Sequence, residues 1–210
     1  MLRGMRRLHF VGPAVSVFGS ARIADDSREY AMARDIGRAL GEAGFAVITG
    51  GGPGVMEAAN RGARDAGATS IGCTIQLPHE ESANAFLDVH VDFHYFFTRK
   101  YMLTKYSLGF VVFPGGFGTA DELFEALTLI QTGKMRDFPV VAYGTEFWRP
   151  LREQLDLMAE RGMIARADLD LLRFTDDIDE AVRHIASHAI RGGKTTRPPR
   201  QLRILGETRA

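Results

Sequence analysis

One cysteine, Cys73, stands among 210 residues, so no disulfide can form within the chain. That scarcity fits a reducing compartment. Cys73 lies in the strand-like run Ser70-Ile-Gly-Cys-Thr-Ile with no nearby His or Asp in sequence, which predicts a buried structural thiol and not a nucleophile. Long apolar runs are missing as well. None approaches the length that crosses a bilayer, and the arginines of Met1–Arg7 precede no extended apolar stretch; a cytoplasmic protein without membrane insertion is expected. Charge of one sign is not in excess, with 26 basic and 26 acidic residues, so nothing global points to nucleic acid. Lysine is scarce: Lys100, Lys105 and Lys134 are the only ones between Ala14 and Ile190. None sits in a Gly-x-x-x-x-Gly-Lys-Ser/Thr loop, which disfavours ATP or GTP hydrolysis, and none sits in a recognisable pyridoxal phosphate motif. No cofactor and no metal are expected.

What is present is ordinary globular composition, 45% hydrophobic, in a length that suits one domain. Residues 1–13 hold three basic groups and residues 191–210 hold six against one acid, leaving 17 basic and 25 acidic residues from Ala14 to Ile190. The reading is a basic N-terminal extension at 1–13, one catalytic domain at 14–190 and a basic, disordered tail at 191–210. An anionic substrate would have to be captured by local groups, against a net negative body.

Short β-branched runs alternate with segments of helical period, the pattern of a parallel sheet with crossover helices. Strands are expected at Ala14 to Gly19, Phe45 to Ile48, Thr69 to Ile75, Asp88 to Phe93, Gly109 to Phe113 and Pro139 to Tyr143. Helices are expected near Arg28 to Ala43, after Val55, after Glu122, near Phe147 to Arg161 and near Ile178 to Ile190, with a polar loop over Leu77 to Phe86 and a less defined segment at Phe97 to Tyr106. The fold class is α/β, a Rossmann-like, doubly wound, mainly parallel sheet with helices on both faces.

Two glycine-rich turns, Gly50 to Gly54 and Gly115 to Gly118, each lie between a strand and a helix. In a parallel sheet both face the carboxyl edge, where close backbone approach and helix N-termini favour a phosphate or carboxylate. The dinucleotide fingerprint fails, because its third glycine would fall on Val55. Thr119 and Glu122 have capping-box spacing and could simply tie off a helix start. Placed in the first turn behind a phosphate cradle, the Glu122 carboxylate would instead point into the crevice, kept ionised by the helix terminus. An ionised carboxylate beside a ribose suits glycosidic cleavage, in which positive charge develops on the sugar and a water must be activated. Arg99, in Phe96-Phe-Thr-Arg-Lys, can grip an anion in bidentate fashion, with Tyr101, Met102 and Leu103 anchoring it.

Here the sequence resembles the LONELY GUY family of cytokinin-activating phosphoribohydrolases, labelled lysine decarboxylase-like in older usage. The resemblance covers about Val15 to Val182. Pro114-Gly-Gly-Phe-Gly-Thr-Ala-Asp-Glu122 fits the family's Pro-Gly-Gly-x-Gly-Thr-x-x-Glu, Arg99-Lys100 stands upstream, and Gly50-Gly-Gly-Pro-Gly-Val-Met matches the other turn. Phe-Phe-Thr before Arg99, and Asp121, resemble the bacterial branch. The resemblance implies an N-glycosidase that releases a free base and ribose 5-phosphate from a cytokinin or adenosine 5′-monophosphate, with Arg99 and Glu122 catalytic. It implies substrate contacts from Ser20, Gly51, Gly52, Gly54, Glu80, Lys100, Gly115, Gly116, Gly118, Thr119 and Thr128, and a homodimer or larger homo-oligomer. The reading from another class is a nucleotide- or cofactor-carrying protein without catalysis.

Asp88, His90, Asp92 and His94 alternate along one strand and imitate a metal site, but side chains on one strand diverge from tetrahedral geometry; a solvated edge face is expected. His184 and His188, one helical turn apart without the Glu of a zinc helix, read as surface residues. Trp148 reads as core or a subunit contact.

Overall fold

The computed structural model describes residues 6–76 and 83–191. The polar stretch 77–82, which contains Glu80, and the terminal segments 1–5 and 192–210 lie outside the described residues, so the expected tail disorder has no counterpart here.

Seven strands, β1 (Ala14–Phe18), β2 (Ala46–Thr49), β3 (Ser70–Ile75), β4 (Val89–Phe93), β5 (Phe110–Val112), β6 (Val140–Tyr143) and β7 (Leu172–Thr175), form one sheet in the order β4-β3-β2-β1-β5-β6-β7. Every pairing is parallel. The order reverses beside β1, so a crevice opens between the loops that leave β1, β2 and β5. Among the described residues five helices connect strands, α1 (Arg28–Glu42), α2 (Val55–Asp65), α3 (Phe96–Tyr106), α4 (Phe117–Gln131) and α5 (Thr145–Glu160), and α6 (Ile178–Arg191) follows β7.

Central strands such as β1, Ala-Val-Ser-Val-Phe, are buried at every position because helices cover both faces. One face packs Val15, Val17, Val47 and Val111 against Ile36, Leu40, Ala59 and Ile185. The other packs Phe18, Ile48, Cys73, Phe110 and Val112 against Met102, Leu103, Leu123 and Trp148. The Ser27 side chain caps α1, accepting the Tyr30 amide at 3.1 Å. α1 and α2 pack closely because a Cβ at Gly37 or Gly62 would collide with the facing backbone.

The expected elements are present, with two additions the sequence reading lacked. β7 and the short 3-10 helix Arg166–Leu171 before it extend the sheet past β6; β7 is four residues, Leu-Arg-Phe-Thr, with too little alternation to announce itself. The segment at Phe97 to Tyr106 is a helix. On the edge strand β4, Val89, Val91 and Phe93 point inward while His90 and Asp92 are exposed. Thr74 reaches both polar groups, at 2.7 Å to His90 and 2.9 Å to Asp92. Among the described residues no cluster of His, Cys, Asp or Glu could hold a metal ion, and no helix is long and apolar enough to cross a membrane. Cys73 is buried, and burial pushes its thiol up to about 12. The histidine pair needs correction: His184 and His188 are half-buried, with rings 4.5 Å apart, and burial lowers the His184 pKa. Trp148 is core, its indole N–H donating to Tyr143 O at 3.2 Å.

Candidate active site

The two glycine turns meet at one edge, and the backbone of Ser20 joins them. Its N–H donates to Pro114 O at 3.0 Å, and its carbonyl accepts the Val55 amide at 3.1 Å. The Ser20 hydroxyl stays local, accepting from Arg22 N at 3.1 Å.

The turn after β2 is tightly held. Gly54 has φ +66, and a Cβ there would press on Ser20 O, so glycine is required on both conformational and steric grounds. Beneath the turn runs a buried polar network that the sequence reading missed. The Thr49 hydroxyl donates to Asn60 Oδ1 at 2.6 Å and accepts from Gly51 N at 2.9 Å. The Asn60 amide donates to Ser70 Oγ at 2.8 Å. Asn84 closes the network, with its side-chain amide on Gly52 O and Asn60 Oδ1, each at 3.0 Å, and its backbone N–H on Gly51 O at 2.8 Å. The available signal was an asparagine on the otherwise small, apolar face Val55, Ala58, Ala59, Ala63 of α2.

The turn after β5 is more open. Gly115 has no room for a Cβ against Thr119, whereas a Cβ at Gly116 or Gly118 would meet nothing within 4 Å. No side chain caps α2 or α4; the Val55 amide is taken by Ser20 O, and the other first-turn amides, lacking an intrahelical acceptor, suit an anion held between the two helices.

α4 begins at Phe117 with Gly116 as its N-cap. That placement removes one alternative and corrects one expectation. Thr119 is the third helical residue, so it forms no capping box with Glu122; and Glu122 sits in the second turn, not the first. Nor does the helix terminus keep the carboxyl at its ordinary acidity. The Glu122 side chain is 3% exposed, and burial raises its pKa to about 7, against the opposing pull of Arg99 and Lys100.

Arg99 spans the crevice. Its Nη2 lies 3.7 Å from Glu122 Oε1, and a Cβ at Gly50 would sit 3.9 Å from its Nη1. The guanidinium also lies over the Phe96 ring, 5.6 Å from the centroid. The pair is an ion pair without hydrogen-bonded geometry, and Arg99 Nε and Glu122 Oε2 are both buried with no hydrogen-bond partner among the described residues. Two buried, unsatisfied polar atoms on neighbouring side chains are costly unless a partner engages them. Met102 and Leu103 anchor α3 in the core as expected, while Tyr101 is exposed.

Lys100 is turned toward α4. Its Nζ lies 2.9 Å from Asp121 and 3.0 Å from Glu125. Burial would lower its pKa, but these two carboxylates outweigh that and raise it. Thr128 is exposed, with its hydroxyl on Phe124 O at 2.7 Å; six residues beyond Glu122 it stands about 9 Å further along the helix axis. The chain thus brings Ser20, the two glycine turns, Thr119, Arg99 and Glu122 together, and leaves Thr128 apart.

Fold and site together define a Rossmann-like α/β protein with two glycine turns at the sheet's switch point and, beside them, a buried Glu122 paired with a half-buried Arg99. The family model described as "Possible lysine decarboxylase" matches residues 56–185, and the chain belongs to that family, which bears out the resemblance carried by Pro114 to Glu122. It is 28% identical over 179 residues to a cytokinin riboside 5′-monophosphate phosphoribohydrolase of Rhodococcoides fascians, covering 83% of this chain and 89% of that protein. It is 31% identical over 170 residues to a pyrimidine/purine nucleotide 5′-monophosphate nucleosidase of Escherichia coli, covering 73% of this chain and 37% of that larger protein. The Moco carrier protein of Chlamydomonas reinhardtii superposes with a TM-score of 0.62 at 24% identity, over 86% of this chain and 99% of the carrier, and shares the fold.

Proposed function

We propose that the protein is a hydrolase of nucleoside 5′-monophosphates, cleaving the N-glycosidic bond to release a free purine base and ribose 5-phosphate. The observation that carries this reading is the Glu122 carboxyl, buried, paired loosely with Arg99 and raised to about 7. In the reaction, the 5′-phosphate is held by amides at Gly116 to Thr119 and at the Gly50 to Gly54 turn. As the bond between C1′ and the base nitrogen breaks, its electron pair leaves with the base. Water attacks C1′, and its proton passes to Glu122. A group that titrates near neutrality both accepts this proton and returns it to the departing base nitrogen. Ionised Glu122 also stabilises the positive charge developing on the ribose. Arg99 keeps a fraction of Glu122 ionised and offers its unpaired Nε to the sugar.

The test is to incubate the full chain with AMP and isopentenyladenosine monophosphate, then measure free base and ribose 5-phosphate. No base from any purine or pyrimidine monophosphate would remove the enzyme reading and favour a carrier. A carrier has no use for a carboxyl poised near neutral pH, and the shared carrier fold speaks for architecture alone.

The same reading includes self-association. Tyr95, Phe96, Phe97 and Phe117, the last 97% exposed, crowd the N-terminal ends of the two helices that carry Arg99 and Glu122, and a second copy would bury them. Sedimentation of wild type against Phe97→Glu tests this: a monomeric wild type would sink it.

A further inference from the structure

At the opposite ends of α3 and α4 lies a cavity of about 370 Å³ lined by Tyr101, Thr104, Lys105, Lys134, Met135, Arg136 and Phe138. It falls in the lower part of the range of about 300–1,000 Å³ typical of ligand pockets. Three cations line it and no acid does. Among the described residues none of the three forms an ion pair. The grouping is local, because the body from Ala14 to Ile190 carries 17 basic and 25 acidic residues.

The backbone that presents these cations is fixed. The amides of Lys134 and Met135 both donate to Leu129 O, at 2.9 and 3.0 Å, tying the loop to the end of α4. Asp137, the only described non-glycine residue with positive φ, at 50°, turns the chain so that Arg136 stays outside while Phe138 enters the core. There Phe138 packs edge-on to Phe110 at 4.8 Å. On the facing helix, Lys105 lies over the Tyr101 ring, 5.6 Å from its centroid. The ring is 47% exposed.

We propose that this cavity is a second anion site that takes a di- or triphosphate group, either free or carried by a nucleotide. Three cations around one concavity that no acid lines match several phosphate charges better than one, and the Tyr101, Met135 and Phe138 wall accommodates an organic moiety. The site is separate from the cleft: Lys105 follows Arg99 by six residues, about 9 Å along the helix axis. It does not depend on the proposed hydrolysis.

Calorimetric titration of the full chain with pyrophosphate, and separately with ADP, tests the assignment. The double variant Lys134→Ala/Arg136→Ala, altered only at exposed loop positions, should weaken pyrophosphate binding by at least about tenfold with its thermal midpoint unchanged. Arg99→Ala, which alters the cleft, should leave pyrophosphate binding intact. ADP tighter than pyrophosphate would identify a nucleotide as the ligand; equal affinities would identify the phosphate group alone. Unaltered affinity in the double variant, loss of binding in Arg99→Ala, or no binding at millimolar pyrophosphate would each overturn the proposal.

Discussion

The two glycine turns look alike in sequence and are built for different work. The turn after β2 is a fixed scaffold, locked by Gly54 against Ser20 and undergirded by Thr49, Asn60 and Asn84. The turn after β5 leaves open space over Gly116 and Gly118, exposes Phe117 and leads into the helix that delivers Glu122. The contrast teaches that a glycine can serve the backbone's own conformation or leave room for something to approach it. Only the contacts around each tell which.

The largest effect expected from breaking this division is at the chemical end. Glu122→Gln should lower kcat by roughly 10²–10⁴-fold while nucleotide still binds, as loss of a general acid–base group does; single-turnover kinetics with a binding assay separate the two, and retained turnover would remove Glu122 from the mechanism. Arg99→Ala comes next. It should cost about 1.5–3 kcal/mol of transition-state stabilisation and move the acid limb of the kcat/KM profile, expected near pH 7 in the wild type from Glu122, to higher pH. A limb that stays in place would show that Arg99 does not act through the carboxyl.

Stability should distinguish the turns at a smaller scale. Gly54→Ala should lose about 1–3 kcal/mol through its left-handed φ and its contact with Ser20. Gly118→Ala should change stability by no more than the exposed-helix propensity term, about 1 kcal/mol in the favourable direction, and yet raise KM. Chemical denaturation of both variants, with KM alongside, would refute the contrast if the two behaved alike. Asn60→Ala should cost about 1–3 kcal/mol by removing the partner of the buried Thr49 and Ser70 hydroxyls, with KM affected more than kcat.

A pH series sharpens the same picture. The folded pKa of Glu122 is raised above its ordinary value of 4.5 to about 7, so its contribution is fully present below about 4.5 and is lost as pH rises through about 7. Wild type should therefore lose stability relative to Glu122→Gln over that window, at up to about 1.4 kcal/mol per pH unit. Denaturation curves at pH 5 and 8 with no change in the gap would contradict the buried carboxyl.

Much of the fold could be read from residues. β1, β2, β3, β5 and β6 announce themselves because strands buried on both faces must be apolar throughout, and the glycine turns between them mark the carboxyl edge. β7 escaped because an edge strand carrying Arg173 needs only half an apolar pattern. Of the site, the motif from Pro114 to Glu122 pointed to a carboxyl that the structure brings beside Arg99, but the helix terminus expected to keep Glu122 ionised does not do so. Thr119 and Glu122 have the spacing of a cap; the helix start at Phe117 removes that role. The Lys100 ion pairs with Asp121 and Glu125 join different helices, and no local pattern encodes such a meeting.

The sequence alone determined the layer order of the chain, the glycine turns at the carboxyl edge, and the chemical types available there, because these follow from periodicity, glycine and side-chain identity. Tertiary structure decided the rest. Burial, which belongs to the assembled molecule and not to any segment, sets the acidity of Glu122, brings Arg99 across from another helix to meet it, and makes Asn60 a strut beneath the turn.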